Sequence, residues 1–120
     1  MVPDGIEKYM SLGADYFAMG KDEEMMASID KALEIEPNNS IVNMSLIQMF
    51  FYKQQYAKAL NYLAAIRTIP DEVRGDSRYH KQTGLYLLAQ SSYFLKQYEQ
   101  AEILAKECIA INPNLSLIHI

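Results

Sequence analysis

Few side chains in this sequence are of a kind that does chemistry. Cys108 is the single cysteine, and the two histidines are His80 and His119. A nucleophile needs an oriented base beside it, and a zinc site needs several nitrogen or sulfur ligands at short spacing. Neither histidine has a second histidine or a cysteine at such spacing. Asp22-Glu23-Glu24 is an acidic run, but carboxylates opening a helix are explained by the helix macrodipole. The expectation is no catalytic residue, no cofactor site, no metal site and no enzyme. Three short matches are equally thin. Arg74-Gly75-Asp76 reads better as a turn than as an adhesion tripeptide, and the sequons at Asn38 and Asn43 fall at or inside an expected helix.

The work of the chain must then lie in its surfaces and in the elements that carry them. At 120 residues it is long enough for one domain, and half of the residues are hydrophobic, so it should fold. The charge is −4, from 11 basic and 15 acidic side chains without a basic cluster. Nucleic-acid binding draws on Lys and Arg neutralising phosphates, so no nucleic-acid partner is expected, and no anionic membrane surface. No apolar run approaches the ~20 residues of a membrane-spanning helix, so no membrane insertion is expected. A lone cysteine and an N-terminus without the features of a signal peptide favour a cytoplasmic location.

Helical periodicity runs almost throughout and predicts helices near 3–19, 22–36, 40–53, 56–68, 77–96 and 98–112. The chain also resembles itself. Asp22 to Tyr56, Met25 to Ala59 and Ala32 to Ile66 are three equal steps along the sequence. Tyr56 to Tyr98, Ala59 to Ala101 and Ile66 to Cys108 are again equal to one another, at a longer step. Small residues at Gly13, Ala59, Ala89 and Ala101 would let paired helices cross closely, with Tyr16, Phe50, Leu63 and Leu88 filling the space beside them. Pro37 and Pro113 would end the second helix of a pair. Asn38-Asn39-Ser40 would cap the helix that follows Pro37.

The series Tyr9, Leu12, Gly13, Tyr16, Gly20, Met25, Ile29, Ala32, Leu33, Ile35 and Pro37 resembles the tetratricopeptide repeat. The period of that family, about 34 residues, is the shorter of the two steps. Met25 stands where the family has Ala, and Ile29 where it has an aromatic. The resemblance implies an all-α fold, a right-handed superhelical stack of three helix-turn-helix repeats in about six antiparallel helices. One domain over residues 1–114 would hold repeats near 6–39, 40–73 and 82–114, with an insertion near 74–81 read as a solvated linker that also lengthens the fifth helix, the alternative being a lip on the groove that contacts a partner. Residues 115–120 form a tail. This tail is apolar where a polar cap is expected, and it back-translates to the end of a transposase-derived sequencing adapter. It is expected to be foreign to the natural chain, which would be a piece of a longer array. The alternative is the start of a fourth repeat.

Function is implied by the same resemblance. The leading helix of each repeat would line a concave groove. Carrying the family's groove positions over places there Met10 and Phe17, then Met44, Gln48, Phe51 and Tyr52, then Tyr86, Gln90 and Tyr93, with Glu7, Ala14, Ala18, Ile41, Thr83 and Phe94 around them. Such a surface is aromatic, methionine-rich and nearly uncharged, and would take an apolar or aromatic peptide segment or helix of another protein. The chaperone carboxylate clamp of some family members is absent, since Met10, Ala14, Thr83 and Tyr86 stand where its basic and amide residues would be. The expected role is a protein–protein interaction scaffold, and the alternative is a regulatory or sensor segment of a larger enzyme or of a secretion or assembly component. Self-association through an uncapped last repeat is expected as well.

Overall fold

The structure is a computed structural model and describes residues 5–69 and 76–111. Seven α-helices and no strand occur among them: α1 (Ile6–Ala18), α2 (Asp22–Ile35), α3 (Ser40–Tyr52), α4 (Tyr56–Leu60), α5 (Leu63–Arg67), α6 (Asp76–Phe94) and α7 (Tyr98–Ile111). The chain is a stack of helical repeats. Hairpin 1 is α1 on α2, hairpin 2 is α3 on α4 and α5, and hairpin 3 is α6 on α7. The expected tail at 115–120 and the segment 70–75 lie outside the described residues.

Each hairpin turns in the same way. Gly20, Gln54 and Lys96 all have left-handed backbone, at φ 74°, 60° and 64°. In each turn the N–H after that residue donates five residues back. These bonds run from Lys21 to Tyr16, Gln55 to Phe50 and Gln97 to Ser92, at 2.9, 2.8 and 2.8 Å. The left-handed residue itself donates to Phe17, Phe51 or Tyr93. This pair of bonds satisfies carbonyls that a helix end leaves open. The three turns are separated by the same short and long steps as the side-chain pattern. Only the first uses glycine, the residue that adopts this conformation without strain.

The expected helix over 56–68 is broken. The N–H groups of Asn61 and Tyr62 donate only three residues back, to Lys58 and Ala59, and Tyr62 sits at φ −101°, ψ 7°. This tightened turn allows the Tyr62 ring to lie almost parallel on Phe50, centroids 5.9 Å apart and planes 13° apart. A packing contact with the facing helix of the same hairpin therefore overrides local propensity.

The core runs through the stack and α3 sits at its centre. Val42, Asn43, Met44, Leu46, Ile47 and Phe50 are all buried, so this helix is covered nearly all round. Asn39 caps it by accepting from the Val42 N–H at 3.0 Å. The Asn43 amide donates to the carbonyls of Asn39 and Pro37, which occupies that sequon internally. In hairpin 1 the close crossing rests on Gly13, where a Cβ would come within 2.6 Å of Ile29 Cδ1.

The insertion lengthens α6, which begins at Asp76, but its end is not solvated. Lys81 is buried and donates to the Ile69 carbonyl just past α5, while Arg78 donates to the carbonyl of Ile111 at the end of α7. Cations at helix C-termini meet both the open carbonyls and the negative end of the dipole. His80 shares a 3.0 Å hydrogen bond with Ser40 at the start of α3. Lys81 and His80 thereby tie hairpin 3 to hairpin 2, and Arg78 closes hairpin 3 on itself.

Candidate functional site

The leading helices α1, α3 and α6 carry every residue singled out for the groove. α3 packs extensively on α6, whereas hairpin 1 meets the others mainly through α2 against α3, and more thinly. Met44 is 8% exposed and buried among hydrophobic side chains, so it offers little open surface. Met10, Phe17 and Tyr86 are half-buried and lean on the core. Gln48 and Gln90 are half-buried too, with amides that can donate and accept.

Phe51, Tyr52 and Tyr93 are drawn into one chain of rings. Phe51 meets Tyr52 edge-on at 6.1 Å and Phe94 at 6.3 Å, and Phe94 meets Tyr93 at 5.9 Å. Two further rings extend the chain. Tyr56 stacks on Phe94 at 5.0 Å, and Tyr98 lies 5.5 Å from Tyr93. The chain spans the ends of α3 and α6 and the starts of α4 and α7, so it bridges hairpins 2 and 3. Tyr52 is 69% exposed, Tyr93 56% and Phe94 50%. Aromatic pairs at these spacings attract one another beyond simple burial, and their outer faces offer large, stiff contact area. Among the described residues no ring contact joins Tyr86 to this chain.

The sequence pattern treats Tyr56 and Tyr98 as repeat framework and so misses their part in the ring chain. The available signal was aromatic residues on both sides of a turn, Phe51 and Tyr52 before Tyr56, and Tyr93 and Phe94 before Tyr98. It also misses Lys53, which ion-pairs with Asp22 while its Nζ stands 5.0 Å above the Phe17 ring. That cation therefore covers an aromatic side chain of hairpin 1.

No group of three or more His, Cys, Asp or Glu side chains is placed to hold a metal among the described residues. Cys108 is buried, and burial pushes its thiol up to about 11. The thiolate that reacts with electrophiles is therefore scarce at neutral pH. No helix among the described residues is long and apolar enough to cross a membrane.

A stack of two-helix units defines a class of helical repeat protein. The tetratricopeptide repeat model matches residues 9–39 and 83–115, more than half of the chain, and the chain belongs to that family. The middle hairpin falls between the two matched stretches. No curated protein gives a significant match. Tetratricopeptide repeats generally mediate protein–protein interaction, and the family is typically a non-catalytic scaffold.

Proposed function

We propose that the chain is a scaffold that grips an apolar or aromatic segment of a partner protein along the wall formed by α1, α3 and α6. Three repeats, near 6–39, 40–73 and 82–114, supply that wall. The ring chain from Tyr52 to Tyr93 carries the reading, because half-exposed aromatic side chains bridging two hairpins are costly to leave in water. Tyrosines of this kind anchor protein interfaces at small conformational cost. Met10 and Phe17 extend the wall, and Gln48 and Gln90 supply hydrogen bonds to a bound backbone.

The test is a display library of random peptides panned against the purified chain. Apolar, aromatic-rich sequences should be enriched. Replacing Tyr52 and Tyr93 together by Ala should weaken them by roughly tenfold or more, as loss of interface anchors does, with only a small fall in melting temperature from the lost ring contacts. Both residues are exposed, whereas Tyr86 leans on the core and its removal would mix packing with binding. Undiminished affinity in the double variant would remove the wall from consideration.

A second contact is proposed through α7, whose Ile103 and Ile109 are about half exposed. Self-association there would bury them. Sedimentation of the chain against an Ile103→Lys, Ile109→Lys variant distinguishes a dimer from a monomer.

A further inference from the structure

We infer that the joint between hairpins 1 and 2 is a hinge, at which hairpin 1 opens as a unit while hairpins 2 and 3 stay together. The hinge itself does not depend on the groove reading, although its consequence for the groove does.

The two joints of the stack differ in kind. Between hairpins 2 and 3, α3 packs along α6 and Tyr56 stacks on Phe94, while the exposed Arg67–Glu107 pair adds little. Lys81 and His80 add bonds to Ile69 and Ser40. The backbones approach so closely that a Cβ on Gly84 would stand 2.8 Å from Ile66 Cγ1. Between hairpins 1 and 2, the Asp22–Lys53 pair is the one ion pair or hydrogen bond that joins helix to helix among the described residues, and the same Lys53 covers the Phe17 ring. The pair occupies an exposed edge, where solvent and salt weaken it.

The repeat offset makes the contrast direct. Asp22 stands one repeat before Tyr56, so an acid takes the place that a ring holds at the next joint. What the ring would fill is left open. A cleft of about 270 Å³ lies between the hairpins, lined by Met25, Met26, Met49 and Phe50, with Asp22 and Lys53 at its rim. Close packing is what makes an interface rigid, and an open cleft forfeits those contacts.

Opening has a pivot and two stiff arms. Glu36, Pro37 and Asn38 are exposed and connect α2 to α3. Asn43 holds the Pro37 carbonyl, and Asn39 caps α3, so the downstream end is fixed. Upstream, α1 and α2 are locked together by the Gly13–Ile29 crossing. Movement at this joint carries Met10 and Phe17 relative to Phe51 and Tyr52, which changes the width of the proposed groove.

Native-state hydrogen exchange of the whole chain, read by mass spectrometry in low urea, tests the hinge. Amides of α1 and α2 should exchange together, roughly tenfold or more faster than those of α3 and α6, as expected for sub-global opening. Added salt should widen the gap. Exchange of α1 and α2 in step with α3, or equally early opening of hairpin 3 as in symmetric end-fraying, overturns the hinge. Asp22→Tyr should slow exchange in α1 and α2 by restoring the missing ring. Lys53→Met should speed it without touching α6 and α7. Unchanged exchange in both variants also overturns it.

Discussion

Gln82 and Cys108 clasp α6 to α7 by two hydrogen bonds in opposite directions. The Gln82 side-chain amide donates to the Cys108 carbonyl at 2.9 Å, and the Cys108 thiol donates to the Gln82 carbonyl at 3.3 Å. Both residues are buried, so neither group has water as a substitute.

Alkaline pH should loosen this clasp. Burial raises the thiol from its ordinary 9.0 to about 11, so the fold binds this proton more tightly than the unfolded chain does. The resulting stability is complete below pH 9.0 and is lost as pH climbs towards 11. Other groups titrate there, so the comparison needed is with Cys108→Ala. Urea melts should show the wild type losing more stability than the variant across that window. The native thiol should also resist iodoacetamide until the chain unfolds.

The three equivalent turns should respond in opposite ways to glycine. Gln54→Gly and Lys96→Gly should each stabilise by about 0.5–1 kcal/mol, because both positions are left-handed. Gly20→Ala should destabilise by about 1 kcal/mol through the backbone alone, since its added Cβ meets nothing within 4 Å. Midpoints of urea unfolding would report all three. A stabilising Gly20→Ala would contradict the left-handed assignment.

Gly13→Ala should cost about 1–3 kcal/mol by overpacking, because the new methyl would lie 2.6 Å from Ile29 Cδ1. Adding Ile29→Val removes that δ-methyl and should recover part of the loss. A double-mutant cycle measures the coupling, and simple additivity would show that the crossing is looser than described.

Arg67 and Glu107 should contribute little despite good geometry. Both are partly exposed, so the coupling from Arg67→Ala and Glu107→Ala should be about 0.5–1 kcal/mol, falling in molar salt. Thermal melts of the four species decide it.

The repeat was legible because spacing and residue size are properties of the chain itself. Gly13 and Ala59 are small where helices cross, the step from Met25 to Ala59 recurs from Ala32 to Ile66, and the resemblance to the family then implies the pairing of helices. The break at Asn61 and Tyr62 was not legible, because it depends on where Phe50 lies in three dimensions. Lys81 was misjudged for a related reason. A lysine in a polar stretch reads as solvated, and only the fold brings the carbonyl of Ile69 to it. Met44 carries the same lesson, since a position carried over from the family's pattern cannot tell an open residue from one pressed between helices. The ring chain was half legible. Phe51, Tyr52 and Tyr93 follow from the pattern of the family, whereas the roles of Tyr56 and Tyr98 depend on two turns ending side by side.

The cations at the foot of α6 give the longer second step of the repeat a use. An engineer trimming the chain to an even cadence would discard Arg78 and Lys81 together and leave two neighbouring helices with frayed, unquenched ends. Irregularity here is joinery, and a tidier sequence would make a weaker protein.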